Sequence, residues 1–348
     1  MRVAFDNQIF LLQKFGGVSR YFVELAKSMN DYPDIETRLI TPLHFNHHLQ
    51  NSNISPKGFF IPFTTDALQM NRMIRTLSTR FSRSYLSQWK PDLIHETFYS
   101  DVDSWPKGLN RVTTVHDLIR EKYEPRVSKA SRKQAAISRA SAIICVSEST
   151  RNDFLNYYNV SEEKVKRVYV GVNEKVWTAQ PVDSPVKRNF ILYVGHRNGY
   201  KNFDLLLQAY ASSALLKTNF CIVTFGGDPL SALEKRKISD LGLSNSVIHA
   251  KGNDAKLSKY YRAAAVFVYP SKYEGFGSPN LEAMSSGCPV LCSDISPFRE
   301  SAGNAGLFFD PNSIESLRSN LESLLFDSEK REKLTTKSSN QKLSEILY

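Results

Sequence analysis

Two stretches of this chain repeat one order of elements: a short apolar strand, a turn, then an amphipathic helix. The first takes in residues 2–7, a loop, Gly16-Gly17 and a helix to Met29. In that helix Val18, Tyr21, Phe22, Leu25 and Met29 recur at spacings of three and four, which gives one apolar face. The second takes in residues 190–195, a polar loop, and a helix with Phe203, Leu206, Leu207 and Tyr210 on one side. Strand-like runs at 92–97, 111–117, 141–147, 165–170, 220–226, 247–251, 266–271, 289–294 and 305–309 alternate with helical segments. Such alternation predicts parallel sheets with helices on both faces. At 348 residues, two such units and no more are expected.

Between residues 173 and 189 the periodicity breaks at Pro181, Asp183, Ser184 and Pro185. The expected division is therefore a first domain at 1–175, a linker at 176–189, a second domain at 190–330 and a C-terminal segment at 331–348. Residues 312–348 read as helix, too long to belong wholly to the second sheet.

Several classes are excluded. Asp6 breaks the first apolar run, which argues against a secretory leader. No apolar run approaches the length of a membrane-spanning helix. Cys145, Cys221, Cys288 and Cys292 sit in apolar surroundings and read as reduced, buried thiols of a cytoplasmic protein. The net charge is +10 and uneven: residues 66–139 carry 14 basic against 8 acidic side chains. A basic surface invites an anionic partner. Residues 66–90 sharpen this: Met70, Met73, Ile74, Leu77, Phe81 and Tyr85 form a stripe, with Arg72, Arg75, Arg80 and Arg83 on other faces. That pattern fits either a domain core or an anionic membrane surface.

Ligands of open parallel sheets bind beyond the carboxyl ends of the strands. Four segments fall there. Gly16-Gly17 opens a helix, whose free N–H groups favour phosphate. No Gly-x-Gly-x-x-Gly follows the first strand, and the second ends in Leu39-Ile40-Thr41 without an acid, so a dinucleotide fingerprint is absent. Arg197 and Lys201 place two cations after the 190–195 strand, a pairing suited to a diphosphate. In the run from Glu274 to Glu282, Ser278 reads as the N-cap and Pro279 as the first helical residue, while Gly287 and Pro289 close the helix. Gly275 and Gly277 on either side of Phe276 offer backbone N–H groups, and the carboxylates of Glu274 and Glu282 offer acceptors to hydroxyls. His116-Asp117 ends a strand of the first domain.

Taken together, Glu-Gly-Phe-Gly-(x)4-Glu, the Gly-Gly loop, the Arg…Lys pair and the His-Asp strand end resemble the retaining glycosyltransferases of family four. The resemblance extends over nearly the whole chain. It implies an α/β architecture of the GT-B type, two facing Rossmann-like domains with a C-terminal helix crossing back to the first. The first would be the acceptor side and the second would hold the nucleotide sugar. Arg197 and Lys201 would bind the donor diphosphate, and Glu282 the ribose. Glu274 with the N–H groups of Gly275, Phe276 and Gly277 would hold the donor sugar, and Gly16 and Gly17 would close on the phosphates. His116 would lie against the sugar, with Glu274 the second residue assigned to catalysis.

The reaction so implied is retaining transfer of a sugar, with mannose from a GDP donor favoured by the Lys201-Asn202 pair. The acceptor would be a growing glycan or lipid-linked saccharide in cell-surface polysaccharide synthesis. No cofactor or metal is expected, and no nucleic-acid partner; the setting would be cytoplasmic, with peripheral contact to an anionic membrane. A UDP-sugar transferase of the same fold and a nucleotide-sugar epimerase are the alternatives. Ser278 and Asn280 depart from the family's commoner apolar residues, which bears on sugar choice. Asp101-Val-Asp103 lacks the strand context of a metal-binding Asp-x-Asp, and His44, His47 and His48 read as a polar loop facing the acceptor.

Overall fold

The computed structural model describes residues 1–54, 58–61, 68–99, 105, 108–123, 130–173, 176–177, 182–197 and 199–340. The chain forms two compact units, Met1–Val170 and Gly171 onward.

The first unit contains β1 (Arg2–Phe5), β2 (Glu36–Leu39), β3 (Leu43–His44), β4 (Phe59–Phe60), β5 (Leu93–Glu96), β6 (Asn110–Val115), β7 (Ala142–Cys145) and β8 (Val165–Arg167). Six of these make a sheet in the order β2-β1-β5-β6-β7-β8, parallel at every pairing, while β3 and β4 pair separately. The Gly17–Met29 helix buries Tyr21, Phe22, Val23 and Ala26 against Val3, Phe5 and Leu39, with Val18, Leu25 and Met29 at the margin. Its sequence periodicity therefore pointed to the face that packs.

The Leu68–Trp89 helix behaves differently. Its inward positions are Ser78, Ser82 and Leu86, all buried, whereas Met73, Leu77 and Phe81 are 53%, 38% and 61% exposed. The stripe read from the sequence is thus largely the outer face and not the core. The cause is polar. Asn7, at the end of β1, donates its side-chain amide to Ser78 Oγ at 2.6 Å, and Ser82 Oγ donates to the Ile40 carbonyl after β2 at 3.3 Å. Strand-end loops carry polar groups that need partners, and these serines supply them.

The second unit contains β9 (Phe190–Val194), β10 (Cys221–Phe225), β11 (Val247–Ala250), β12 (Val266–Tyr269), β13 (Val290–Ser293) and β14 (Gly306–Phe309). They form one parallel sheet in the order β11-β10-β9-β12-β13-β14. That is the doubly wound Rossmann order, and its switch of direction falls between β9 and β12, where a ligand crevice forms. Both central strands are buried along nearly their whole length, as parallel strands covered on two faces must be.

Three expectations are adjusted. Val176 and Trp177 belong to the second unit: Ser258 Oγ donates to the Val176 carbonyl at 2.9 Å, and Trp177 packs edge-on against Tyr261. The unit boundary accordingly lies before the expected 176–189 linker. The C-terminal segment is two helices, Ile314–Phe326 and Ser328–Asn340, broken at Asp327. Through Asn340 they pack within the second unit, on the Phe203–Ala211 and Ser278–Ser285 helices and β14. A helix crossing back over residues 341–348 lies outside the described residues.

Candidate active site

The site is built where β9 and β12 end. After β9, Gly199–Lys201 makes one tight turn, and Asn202 follows in the left-handed conformation at φ 57°. Asn202 tolerates that backbone because its side-chain amide is doubly used, donating to the carbonyls of Pro270 (3.0 Å) and Pro311 (2.8 Å). This brace fixes Lys201 over the end of β12. There Lys201 Nζ lies 2.6 Å from Glu274 Oε1 and over the ring of Tyr269 at 5.6 Å. Burial, with the adjoining Glu274 carboxylate, pushes the Tyr269 phenol well above its ordinary range, so it stays a neutral donor beside Glu274.

Gly277, not Ser278, caps the helix Ser278–Ser285. Its φ is +103°, and a Cβ there would stand 2.8 Å from the Phe298 ring and 3.0 Å from Ser301 Oγ. Glycine is required on both counts, and this shifts the helix start one residue earlier than the serine signal suggested. Pro279 then sits at the second helical position, and the helix closes at Gly287 with φ 74°. Glu274 and Phe276 are nearly buried. Glu282 lies farther inside, 2% exposed, and accepts a hydrogen bond from the Tyr261 hydroxyl at 3.2 Å. The assigned ribose carboxylate is therefore anchored to the Asp254–Ala263 helix.

Arg197 differs most from expectation. Its Nε donates to Glu234 Oε1 at 2.6 Å, and its two terminal nitrogens donate to the carbonyls of Gly226 (3.3 Å) and Asp228 (2.6 Å). The side chain is 4% exposed. Three of the five guanidinium N–H groups are thus committed to the protein, leaving one on each terminal nitrogen. Burial works to raise the Glu234 carboxyl, but hydrogen bonds from Arg197 and from the Ser231 backbone and hydroxyl pull it down to about 2. Sequence reading missed Glu234 as a site residue. The signal available was Ser231-Ala-Leu-Glu234, a capping box that the structure forms and that announces a helix start rather than an arginine partner.

The remaining assigned residues belong to the first unit. Gly16 is extended, and Gln13 reaches over the helix start, its Oε1 accepting from the Ser19 N–H at 3.1 Å. Gly17 has open space where a Cβ would be, and its N–H and that of Val18 have no intrahelical acceptor. His116 follows β6 and lies edge-on to Tyr21 (5.0 Å) and Phe22 (6.0 Å) of the helix that Gly17 begins. Its Nε2 is buried and has no hydrogen-bond partner among the described residues. Burial, helped by the Lys133 charge, lowers its pKa to about 3, so the ring is neutral. Lys133, a second residue that the sequence did not reveal, is buried and donates to the Asp117 carbonyl at 2.9 Å while pairing with Glu121 at 2.8 Å.

No group of three or more metal-ligating side chains occurs among the described residues. The histidine cluster is not a loop: His44 is buried in β3, and His47 and His48 begin a one-turn helix capped by Asn46. Phe15 stacks on His47 at 4.4 Å. Asp101 and Asp103 lie outside the described residues. All four cysteines are free and buried, with burial raising their thiol pKa values.

Comparison with known proteins agrees with this layout. Residues 15–176 match the family model "Glycosyltransferase Family 4", and residues 178–341 match "Glycosyl transferases group 1". The chain is 28% identical over 352 residues to O-antigen chain mannosyltransferase B of Escherichia coli, covering 92% of this chain and 90% of that protein. It is 29% identical over 197 residues to a Campylobacter jejuni N-acetylgalactosaminyltransferase named for a diphospho-undecaprenol acceptor, covering 56% of this chain and 53% of that protein. Among solved structures, Anabaena Alr3699/HepE in complex with UDP and glucose superposes with a TM-score of 0.78 at 18% identity, covering 100% of this chain and 96% of that one.

Proposed function

The chain is a family 4 glycosyltransferase of the GT-B fold and of the bacterial polysaccharide type, and on that premise we propose that it transfers mannose from GDP-mannose with retention of configuration. The acceptor is a growing glycan or lipid-linked saccharide. The observation that carries this reading is the Lys201–Glu274 pair at the switch between β9 and β12, beside the glycine-flanked Phe276.

In this reading the Lys201 ammonium moves from Glu274 to the donor diphosphate, and the freed carboxylate accepts from the donor sugar's hydroxyls. The acceptor oxygen bonds to the anomeric carbon on the face from which the diphosphate leaves. As the sugar–phosphate bond breaks, the acceptor proton passes to the departing phosphate oxygen. Lys201, the remaining N–H groups of Arg197 and the backbone N–H groups of Gly275, Phe276 and Gly277 carry the charge that grows there. Gly17, with its open space and free helix start, closes on the phosphates. His116 is neutral and has an Nε2 without a protein partner, which suits it to a sugar hydroxyl and not to general-base work. Fixed protein charges replace a divalent ion in this scheme, so turnover survives EDTA.

Mannose as the sugar is supported by the Escherichia coli relative's name, and a lipid-linked acceptor by that of the Campylobacter relative. A UDP donor is the second reading, favoured by the UDP complex of the Anabaena protein. Incubation with a panel of GDP- and UDP-sugars, reading nucleoside diphosphate release with and without acceptor, decides between them. Release from GDP-mannose, an α-linked product by NMR coupling and full activity in EDTA are expected. Exclusive use of UDP-sugars, a β-linked product, or activity lost to EDTA and restored by Mn²⁺ overturns the proposal.

A further inference from the structure

The outward side of the Leu68–Trp89 helix has no role in the site just described, yet it is the most apolar exposed surface of the first unit. Met73, Leu77 and Phe81 stand at intervals of four, one above another on the same face. Phe59 of β4 is 80% exposed. Phe59 and Phe81 both line a cleft of about 510 Å³ whose floor is Leu39, Pro42, Leu43 and Tyr85. A cleft of this size falls in the range that holds small ligands. It lies directly beyond the carboxyl end of edge strand β2. Its wall depends on Gly58, where a Cβ would come within 1.6 Å of the Thr41 carbonyl oxygen. Only glycine lets the chain cross there and donate the Phe59 N–H to the Pro42 carbonyl at 2.8 Å.

The charge around this surface has one sign. The helix contains Arg72, Arg75, Arg80 and Arg83 and no acidic residue. Arg80 and Arg83 are exposed and lie beside the Met73–Leu77–Phe81 ridge on a helical projection, neither in an ion pair with a described residue. Burying serines while exposing methionine, leucine and phenylalanine costs solvation on both sides of the helix. Nothing inside the unit recovers the outer half of that cost. A partner that takes apolar groups and lies under a layer of phosphates does.

We propose that the ridge of Met73, Leu77 and Phe81, with the Phe59 rim of the adjoining cleft, docks this protein on the surface of an anionic lipid bilayer. The apolar side chains enter the boundary between headgroups and acyl chains, and Arg80 and Arg83 lie at the level of the phosphates. No helix among the described residues is long and apolar enough to cross a membrane, so the attachment is at the surface. It places the open end of β2 toward the lipid.

Cosedimentation of the purified full chain with vesicles tests this without any sugar donor, so its outcome is separate from that of glycosyl transfer. Vesicles of mixed phosphatidylglycerol and phosphatidylcholine bind the protein at low salt, and pure phosphatidylcholine binds it much less. Leu77→Ser with Phe81→Ser lowers the affinity roughly tenfold or more. Arg80→Glu with Arg83→Glu lowers it about fivefold per residue and removes most of the salt dependence. Phe59→Ser, outside the helix, gives a smaller loss in the same direction. All variants keep the wild-type melting temperature, since the changed side chains are exposed. Absence of binding to anionic vesicles at low salt, or binding unchanged in the Leu77→Ser/Phe81→Ser variant, overturns the proposal. So does a dimer in light scattering that this variant makes monomeric without any vesicle binding, since the ridge is then a self-association face.

Discussion

Lys201 Nζ and Glu274 Oε1 lie 2.6 Å apart across a sequence separation of 73 residues. The cation assigned to the diphosphate and the carboxylate assigned to the donor sugar are one ion pair at the end of β9 and β12. Each holds the other in place, and a donor that engages both must exchange this pair for its own phosphate and hydroxyl contacts.

Lys201→Ala is expected to lower kcat/KM for the donor by about 1.5–3 kcal/mol, or roughly 10- to 150-fold, the range of a charge-assisted hydrogen bond. Turnover falls along with affinity because the charge on the leaving group grows in the transition state. Lys201→Arg recovers only part, since a planar fork cannot reproduce a point charge in this space. Steady-state kinetics with the preferred donor check this; wild-type kcat/KM in Lys201→Ala removes the residue from the site.

Glu234→Gln is expected to destabilise the second unit at neutral pH by on the order of 2–3 kcal/mol. The native carboxyl is held near 2, below its usual 4.5. Its contribution is therefore complete above about pH 4.5 and disappears as pH falls toward 2. Thermal melts of both proteins across that window should show the gap between their melting temperatures closing on acidification. A gap independent of pH would mean that the Arg197–Glu234 pair is not its source.

Gly277→Ala combines a positive φ with a Cβ 2.8 Å from the Phe298 ring, and is expected to cost about 1–3 kcal/mol of stability and to displace the 275–277 backbone. Gly17→Ala is the contrast: its Cβ meets open space at the start of a helix, so stability is unchanged or rises slightly. Donor KM should nevertheless rise in Gly17→Ala if the phosphates approach that backbone. Urea unfolding paired with donor kinetics separates the two effects.

His116 and His95 are both held near pKa 3 by burial, below the usual 6.5 of histidine. Lys133 adds to the shift at His116, and His116 adds to it at His95. Below about pH 6.5 the unfolded chain binds protons that the native chain refuses, so stability falls as pH drops from 7 to 5. The expected loss is up to about 2 kcal/mol per histidine. His116→Asn should flatten its share of that slope in urea titrations at pH 5, 6 and 7. An imidazole signal of His116 titrating near 6.5 by NMR contradicts the buried neutral ring.

The sequence by itself determined the elements and their order. Strands buried on both faces must be apolar throughout, and helices between sheets must show a period near 3.6 residues, so both signatures are local and legible. The sequence also carried the short motifs around Gly16, His116, Lys201 and Glu274, because a strand-end loop serving a ligand keeps its key residues within a few positions. What the tertiary structure decided depended on partners far along the chain. Arg197 turns toward Glu234 because the end of β9 lies beside the end of β10, a neighbour that no local window contains. Gly277 takes the cap from Ser278 because Phe298 and Ser301 occupy the space where a side chain would go. On the Leu68–Trp89 helix, periodicity located the apolar stripe but not the direction it faces. Asn7 and the Ile40 carbonyl, at the ends of two other strands, needed hydrogen bonds, and Ser78 and Ser82 could supply them. Polar satisfaction at the strand ends outweighed burial of the stripe, and so turned Leu77 and Phe81 to the surface.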